Sequence, residues 1–287
     1  MKPVRITSFE RGTLAFDVID DGPLDGPPVV LLHGFPQLST SWAKVTPLLG
    51  EAGFRTYAPD QRGYSPGARP RGRRAYKATD LVADVVALID RINAPVHLVG
   101  HDWGASVAWG VAARHADRLA SLTAVSVGHS QAFRRALRTP DQALRSLYMG
   151  LFQLPVVPER LMSGKWFATK FLSTSGMTDE MIATYRVEIV EGGALTGGLN
   201  WYRAIPFALM DEDPDVTVPT TFVWSDGDPA LGRRMAELTE EHVNGPYEFI
   251  EFPGASHWIP NERPADLAEA IISRARSATT AAAAISD

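Results

Sequence analysis

The sequence predicts an α/β protein with a mostly parallel, doubly wound sheet that a helical insertion interrupts. Short, unbroken apolar runs alternate along the chain with segments whose apolar residues recur at helical spacing. This alternation stops near residue 129 and resumes near residue 219. A chain of 287 residues fits one interrupted core better than two domains in series. We therefore predict a core formed by residues 1–128 and 214–287, and a helical cap domain, or lid, formed by residues 129–213.

The first half of the core begins with a predicted β-hairpin, in which residues 4–9 and 13–19 flank a turn at residues 10–12. The apolar run at 29–32 is short and unbroken, as expected of a strand that is buried on both faces. Between residues 76 and 92, apolar residues fall on one face of a helix. The remaining predicted elements are strands at 54–58, 96–99 and 119–127 and a helix at 105–114.

The second half of the core resumes with predicted strands at 219–224 and 247–252. These strands alternate with predicted helices at 230–242 and 264–277. The last residues, 277–287, contain four consecutive alanines and little to bury, so we expect this tail to fray.

Charge and composition exclude several classes of protein. The 28 basic and 33 acidic residues give a net charge of −5, so we expect no surface for nucleic acid or for an anionic membrane. The chain has no cysteine, which excludes disulfides, thiolate metal sites and cysteine nucleophiles. No apolar run approaches the roughly 18 residues of a membrane span, and the first twenty residues do not resemble a signal peptide. We expect a cytoplasmic protein.

No cofactor and no metal ion are expected. Histidines 97, 115, 129 and 242 have no carboxylate or second histidine at ligand spacing on a shared face. No glycine-rich fingerprint follows a predicted strand to bind a phosphate.

The segment that carries the clearest chemistry is Gly100-His101-Asp102-Trp103-Gly104, which lies between a predicted strand and a predicted helix. Glycines two residues before and two residues after a reactive side chain permit the tight strand-to-helix turn of a nucleophile elbow. The residue at the corner is an aspartate, and no Gly-x-Ser-x-Gly sequence exists in the chain. An aspartate that caps the N-terminus of a helix is the alternative interpretation of this segment.

Three further segments follow predicted strands, and each could contribute to the same site. Residues 33–36 (His-Gly-Phe-Pro) follow the first buried strand, Asp226 and Asp228 follow the strand at 219–224, and His257 follows the last strand. Because ligand sites of parallel sheets lie at the carboxyl ends of the strands, we expect these groups to meet. The order nucleophile, acid, histidine is the order that α/β-hydrolases use.

These motifs resemble those of α/β-hydrolases of the epoxide hydrolase and haloalkane dehalogenase group, and most closely those of epoxide hydrolases. The resemblance covers nearly the whole chain, through HGFP at 33–36, DQRGYS at 60–65, GHDWGA at 100–105 and GASHW at 254–258. It implies an α/β-hydrolase fold, with Asp102 as nucleophile and His257 as base. It also implies Asp228, in preference to Asp226, as the acid that orients the base. The backbone N–H groups of Phe35 and Trp103 would form the oxyanion hole.

The chemistry of an aspartate nucleophile is consistent with this resemblance. Serine that attacks a saturated carbon would form an ether, which water does not readily cleave. A carboxylate that attacks the same carbon forms an ester, which water activated by a histidine can hydrolyse. The carboxylate is already ionised at pH 7 and needs no base for the first step. Asp102 and His257 therefore predict displacement at an sp³ carbon.

The leaving group distinguishes the two branches of this group. An epoxide oxygen leaves as an alkoxide and needs a hydrogen-bond donor or acid, a task that suits a tyrosine. Tyr202 lies in a segment (200–203, Asn-Trp-Tyr-Arg) that resembles the one holding one of two lid tyrosines in epoxide hydrolases. Tyr148 lies in a segment (147–153) that resembles the one holding the other, and Tyr185 is the alternative to it.

Two departures disfavour a dehalogenase. Halide-releasing dehalogenases usually have an asparagine where this chain has Phe35, and those that act on fluorinated acids have an arginine where it has Trp103. We therefore predict a cofactor-free epoxide hydrolase whose small hydrophobic substrate binds between lid and core, in a pocket lined by Phe35, Trp103, Trp258 and lid aromatics. The alternatives are a haloalkane or haloacid dehalogenase, and a hydrolase-fold protein that binds a small ligand with little turnover. The oligomeric state stays open.

Overall fold

The computed structural model describes residues 4–207 and 213–286. Within these residues, eight strands form one sheet with the spatial order β1-β2-β4-β3-β5-β6-β7-β8. Strands β3 to β8 run parallel to one another, β2 pairs antiparallel with β4, and β1 pairs antiparallel with β2. The predicted mostly parallel sheet is therefore confirmed. The strands are β1 (Ser8–Arg11), β2 (Leu14–Asp21), β3 (Pro28–Leu32), β4 (Arg55–Pro59), β5 (Val96–His101), β6 (Leu119–Val125), β7 (Thr220–Trp224) and β8 (Tyr247–Glu251).

From β3 onward, helices occupy the connections between the strands, including a long insertion between β6 and β7. Before the insertion lie α1 (Thr46–Glu51), α2 (Ala78–Ile92) and α3 (Trp103–Arg114). The insertion contains α4 (Ser130–Ala136), α5 (Pro140–Arg145), α6 (Leu147–Phe152), α7 (Val157–Ser163), α8 (Lys165–Thr174), α9 (Asp179–Tyr185) and α10 (Leu195–Ala204). After it come α11 (Arg233–Thr239), α12 (Ile259–Glu262) and α13 (Pro264–Ser286). None of the helices in the described ranges is long and apolar enough to span a membrane.

The sheet is covered on both faces, as its unbroken apolar strands predict. Consecutive residues of β3 point to opposite faces of the sheet, and the four residues from Val29 to Leu32 are fully buried. Val30 and Leu32 pack in the apolar cluster that includes residues of α2 and α3, whereas Val29 and Leu31 pack in a second cluster with residues of α1 and α13. The sheet is therefore packed between two layers of helices. Because its strands are mostly parallel, their carboxyl ends lie at one edge of the sheet.

The largest differences between the structure and the predicted elements lie at three places. The first strand begins at Ser8 and continues to Arg11, so the hairpin turn consists of Gly12 and Thr13 alone. The helix predicted at 230–242 begins only at Arg233, because residues 228–232 form a loop. The prediction of a frayed tail is wrong, since α13 continues to Ser286. Alanine has the highest intrinsic helix propensity, which explains why the alanine run extends the helix.

Between Ser130 and Phe207 the chain consists mainly of helices, as predicted; residues 208–212 lie outside the described residues. Residues 186–191 continue α9 as a wider π-helical turn. The division into a core at 1–128 and 214–287 and a cap domain at 129–213 stays a prediction.

Candidate active site

Asp102 lies at a sharp corner between the end of β5 and the start of α3. Its φ angle is 53°, a backbone conformation that residues other than glycine rarely adopt and that is common at functional sites. A Cβ atom at Gly100 would lie 2.3 Å from the Gly104 carbonyl oxygen, and one at Gly104 would lie 2.2 Å from the Leu32 carbonyl oxygen. The corner therefore requires both glycines. The Asp102 side chain makes no capping hydrogen bond to α3, which disfavours the interpretation as a helix cap.

The Asp102 carboxylate lies between a backbone donor and a histidine. The Phe35 N–H donates a hydrogen bond of 2.8 Å to Oδ1, and Nε2 of His257 lies 3.4 Å from Oδ2. Burial raises the pKa of Asp102, but the hydrogen bond and the charge of His257 outweigh burial, and the nearby Trp103 N–H adds to their effect, so this pKa lies below its ordinary value. The carboxylate is therefore ionised at neutral pH.

His257 is oriented by Asp228 and not by Asp226. Nδ1 of His257 lies 2.6 Å from Oδ2 of Asp228, whose side chain is completely buried. The other oxygen, Oδ1, accepts hydrogen bonds from the N–H groups of Ala230 (2.8 Å) and Leu231 (3.0 Å). Asp226 is exposed and accepts a hydrogen bond from the Gly254 N–H instead. The structure thus brings Asp102, His257 and Asp228 together, at the carboxyl ends of three strands.

The protonation of His257 follows from the two carboxylates beside it. Burial lowers the pKa of His257, but the charges and hydrogen bonds of Asp228 and Asp102 outweigh it and raise the pKa to about 10. Two contacts fix the backbone carbonyl oxygen of His257: Nε2 of His101 lies 2.9 Å from it, and the Ser126 hydroxyl donates a hydrogen bond to it. Because its pKa is raised in this way, the imidazole of His257 is cationic while both carboxylates are ionised.

Two tyrosines of the insertion face Asp102. Tyr202 on α10 and Tyr148 on α6 have ring centroids 5.9 Å apart, and both line the cavities that contain Asp102. Burial raises the pKa of both phenols, and the Asp102 charge raises it further, so both phenols stay protonated at neutral pH. Tyr185, the alternative to Tyr148, donates its hydroxyl to the Met162 carbonyl oxygen at 2.8 Å and does not line these cavities.

The helix that carries Tyr202 is fastened to the core by the loop at residues 60–65, to which the sequence assigned no function. The indole N–H of Trp201 donates to the Arg62 carbonyl oxygen at 2.8 Å. A Cβ atom at Gly197 would lie 2.0 Å from the Gly63 carbonyl oxygen, so α10 and this loop are in close contact. Arg62 itself forms a buried, two-pronged ion pair with Asp84 of α2. The loop therefore supports the position of Tyr202.

Two cavities meet at Asp102. One has a volume of about 230 Å³ and follows the face of α3 that carries Ser106, Val107 and Gly110. The other has a volume of about 220 Å³ and contacts His257. Of the predicted lining residues, Trp103 lines the first cavity, whereas Phe35 and Trp258 line the second. The α3 face was missed, although the three- and four-residue spacing after Trp103 is the signal that would have found it.

The chain is similar in sequence and in structure to known proteins. A sequence model of the alpha/beta hydrolase family matches residues 29–270. The AB hydrolase superfamily protein YfhM of Bacillus subtilis is 36% identical, over 95% of this chain and 98% of that protein. Epoxide hydrolase A of Mycobacterium tuberculosis is 32% identical, over 89% of this chain and 92% of that protein. The crystal structure of epoxide hydrolase A from Mycobacterium thermoresistibile superposes with a TM-score of 0.77 at 32% identity, over 94% of this chain and 97% of that one.

Proposed function

We propose that this chain, which belongs to the alpha/beta hydrolase family and to its epoxide hydrolase group, opens an epoxide to a vicinal diol through a covalent ester on Asp102. The family match and the likeness to solved epoxide hydrolases confirm the α/β-hydrolase fold and support a hydrolase that acts on the ether bond of an epoxide. The covalent route and the roles of individual residues are inferred from the geometry around Asp102.

The substrate would bind between the core and the cap domain that we propose for residues 129–213. Asp102, Tyr148 and Tyr202 line both cavities, so an epoxide ring at their junction would have the carboxylate on one side and the phenols on the other. Most of the surrounding surface is apolar, including Phe35, which favours a small hydrophobic substrate.

In the first step, Oδ2 of Asp102 attacks one carbon of the epoxide ring. A C–O bond forms to that carbon, the ring C–O bond breaks, and its electron pair goes to the ring oxygen. The developing alkoxide accepts hydrogen bonds from Tyr202 and Tyr148 and takes a proton from one of them, and solvent then reprotonates that phenol. Since the carboxylate is already ionised, this step needs no base.

In the second step, His257 removes a proton from water, and the hydroxide attacks the carboxyl carbon of the ester. Negative charge develops on Oδ1, the oxygen that already accepts the Phe35 N–H at 2.8 Å. Collapse of the tetrahedral intermediate breaks the bond between the carboxyl carbon and Oδ2, and His257 protonates the departing diol oxygen. Asp102 returns as a carboxylate, and one proton passes to solvent.

The arrangement of the Asp102 carboxylate is the single observation that carries this proposal. One oxygen has an oxyanion donor in place, and the other faces the base. The two phenols favour an alkoxide leaving group over a halide, since a phenol can give its proton to an alkoxide, and Phe35 offers no second N–H donor from its side chain to hold a halide. A protein that only binds a ligand has no need of a histidine and an acid aligned behind the carboxylate.

A single turnover in ¹⁸O-labelled water tests the covalent route. The enzyme in excess over one reactive epoxide should yield unlabelled diol, because the first oxygen delivered comes from Asp102, and one heavy oxygen should remain on the peptide that carries Asp102. Repeated turnover should then transfer the label to the diol. Labelled diol on the first turnover, with an unlabelled peptide, would show that Asp102 acts as a general base and would overturn the proposal.

Asp102→Asn is the matched control for this experiment. We expect it to fold and to be inactive, whereas an aspartate that only caps α3 could be replaced by asparagine with activity retained. A panel of epoxides and alkyl halides separates the alternatives. Diol formation supports the epoxide hydrolase, halide release without diol formation indicates a dehalogenase, and binding without turnover indicates a ligand-binding protein.

A further inference from the structure

A buried glutamine of the insertion joins α5 to the loop that carries Asp228. Gln142 is 1% exposed, and its side-chain amide donates to the Ala230 carbonyl oxygen at 2.8 Å and accepts the Gly232 N–H at 2.8 Å. The second amide hydrogen is directed to the Ser146 hydroxyl at 3.1 Å. The hydrogen-bonding capacity of the Gln142 amide is thus directed mainly at the backbone on either side of Leu231.

This stretch of backbone also holds the Asp228 carboxylate. Oδ1 of Asp228 accepts the N–H groups of Ala230 and Leu231, and Oδ2 accepts from His257. Arg145, one helical turn after Gln142, donates to the Asp228 carbonyl oxygen at 2.8 Å. Helix α5 lies close to the loop, because a Cβ atom at Gly232 would lie 2.5 Å from Oδ2 of Asp141. The insertion therefore contacts the acid loop (residues 228–232) at its beginning and at its end.

We propose that Gln142 is a positioning residue for the ester-hydrolysis half-reaction, which it supports by holding the acid loop in the conformation that orients Asp228 towards His257. This inference rests on the proposed two-step function. It adds a role to a residue of the insertion that touches neither the epoxide cavities nor the reacting atoms.

The amide is suited to this task because the loop offers one acceptor and one donor to the same buried space. The Ala230 carbonyl requires a donor, and the Gly232 N–H requires an acceptor. Without Gln142, these two backbone groups must find other partners, and a shift of the loop to satisfy them moves the N–H groups that hold Asp228. Misplacement of a catalytic group by about 1 Å costs on the order of 100-fold in rate.

The two half-reactions respond differently to such a shift. Alkylation uses the ionised Asp102 and the phenols and does not require Asp228. Hydrolysis requires a neutral His257 whose Nδ1–H is held by Asp228. A displaced acid weakens the base, so hydrolysis slows and the pKa of His257 in the ester intermediate falls.

The test compares Gln142→Leu with Gln131→Leu. Gln131 lies on α4 and donates its side-chain amide to the Asp213 carbonyl oxygen at 2.8 Å, so its substitution also removes a glutamine-to-backbone hydrogen bond from the insertion, but away from the acid loop. Ester formation and ester decay are measured by quenched flow over a range of pH, with thermal melting as the check on folding.

We expect Gln142→Leu to slow ester decay by about 10- to 100-fold with alkylation within about twofold of wild type. The rise of the decay rate with pH should have its midpoint at lower pH than in wild type, because the neutral form of His257 is the active one. Gln131→Leu should change neither the decay rate nor this midpoint. Equal slowing of both steps, or slower decay with an unchanged midpoint, would overturn the inference.

Arg145→Met supplies a second variant in case Gln142→Leu does not fold. It removes the hydrogen bond to the Asp228 carbonyl oxygen and the ion pair with Asp141 from a partly exposed side chain, so folding should be less affected. Arg145 also lines the second cavity, and methionine keeps most of the length of its side chain there. We expect the same selective slowing of ester decay, and an unchanged decay rate would refute the role of α5. If wild-type protein forms neither ester nor diol from any epoxide, the proposed function fails. If wild type shows both steps and these variants lack the selective effect, only the inference fails.

Discussion

Replacing Tyr202 by phenylalanine removes one hydroxyl from the proposed alkoxide site, together with the hydrogen bonds of that hydroxyl to Tyr148 and Trp103. The ring is buried in an aromatic cluster, with centroids 5.3 Å from Phe35, 5.0 Å from Trp103 and 5.0 Å from Phe152. Phenylalanine can keep these contacts, so the position of α10 should not change. The substitution therefore isolates the contribution of the hydroxyl.

The expected magnitude follows from where charge develops in the alkylation step. The Tyr202 hydroxyl would strengthen its hydrogen bond as the epoxide oxygen becomes an alkoxide, and removing one such preorganised donor typically costs about 2.7–4 kcal/mol. At about 1.4 kcal/mol per factor of ten, alkylation should slow by about 10²- to 10³-fold. Substrate binding should change far less, because the neutral epoxide is a weaker acceptor than the alkoxide. Tyr148→Phe should also slow alkylation, because Tyr148 faces the same junction of the cavities.

Tyr185→Phe is the matched control. Tyr185 is equally buried, but its hydroxyl donates to the Met162 carbonyl oxygen. Its loss should cost about 1–3 kcal/mol of stability, because a buried carbonyl loses its donor, and should leave alkylation unchanged. Quenched-flow measurement of ester formation, with melting curves, distinguishes these effects. Alkylation by Tyr202→Phe within about twofold of wild type would remove Tyr202 from the mechanism, and slowing by Tyr185→Phe alone would favour the alternative tyrosine.

Two further predictions concern the histidine. His257→Gln should form the ester and then stall, because alkylation needs no base. Intact-mass measurement should therefore show protein heavier by one epoxide. An inactive variant without adduct at saturating substrate would contradict the assignment of His257 to the second step alone. Asp102→Asn should lower the pKa of His257 relative to wild type, because one of the two carboxylates that raise it is lost while Asp228 remains, and NMR titration of the imidazole measures this change. An unchanged or higher pKa would show that Asp102 does not control the protonation of His257.

Features that depend on local sequence could be predicted. The run at β3 indicates a strand buried on both faces because all its side chains are apolar, and the flanking glycines of Asp102 indicate a tight corner because no other residue fits there. The meeting of Asp228 and His257 follows from a general property of parallel sheets, whose strand ends share one edge. The observed separation of 2.6 Å between Nδ1 and Oδ2 agrees with that expectation, whereas the catalytic roles of the two residues stay predictions.

Features that depend on contacts between distant segments could not be predicted in the same way. Gln142 is a single glutamine in a short helix, and its importance arises only because Ala230 and Gly232, almost ninety residues later, present complementary backbone groups to it. Tyr148 and Tyr185 are both aromatic residues of the insertion, and only the packing of α6 against α10 brings one of them to Asp102. The tail differs in kind, because alanines offer little apolar surface to bury but have a high helix propensity, and here the propensity extends α13.

The charges around His257 impose an order on the two proposed half-reactions. In the free protein, Nε2 lies 3.4 Å from the ionised Asp102, and at an effective dielectric constant of about 20 this attraction is worth roughly 5 kcal/mol. With Asp228 on the other side, the pKa of His257 is about 10, so the imidazole is cationic and cannot remove a proton from water. Alkylation converts Asp102 into a neutral ester and removes this attraction, while burial continues to favour the neutral imidazole. The pKa of His257 therefore falls only once the ester has formed, and the base becomes available when there is an ester to hydrolyse.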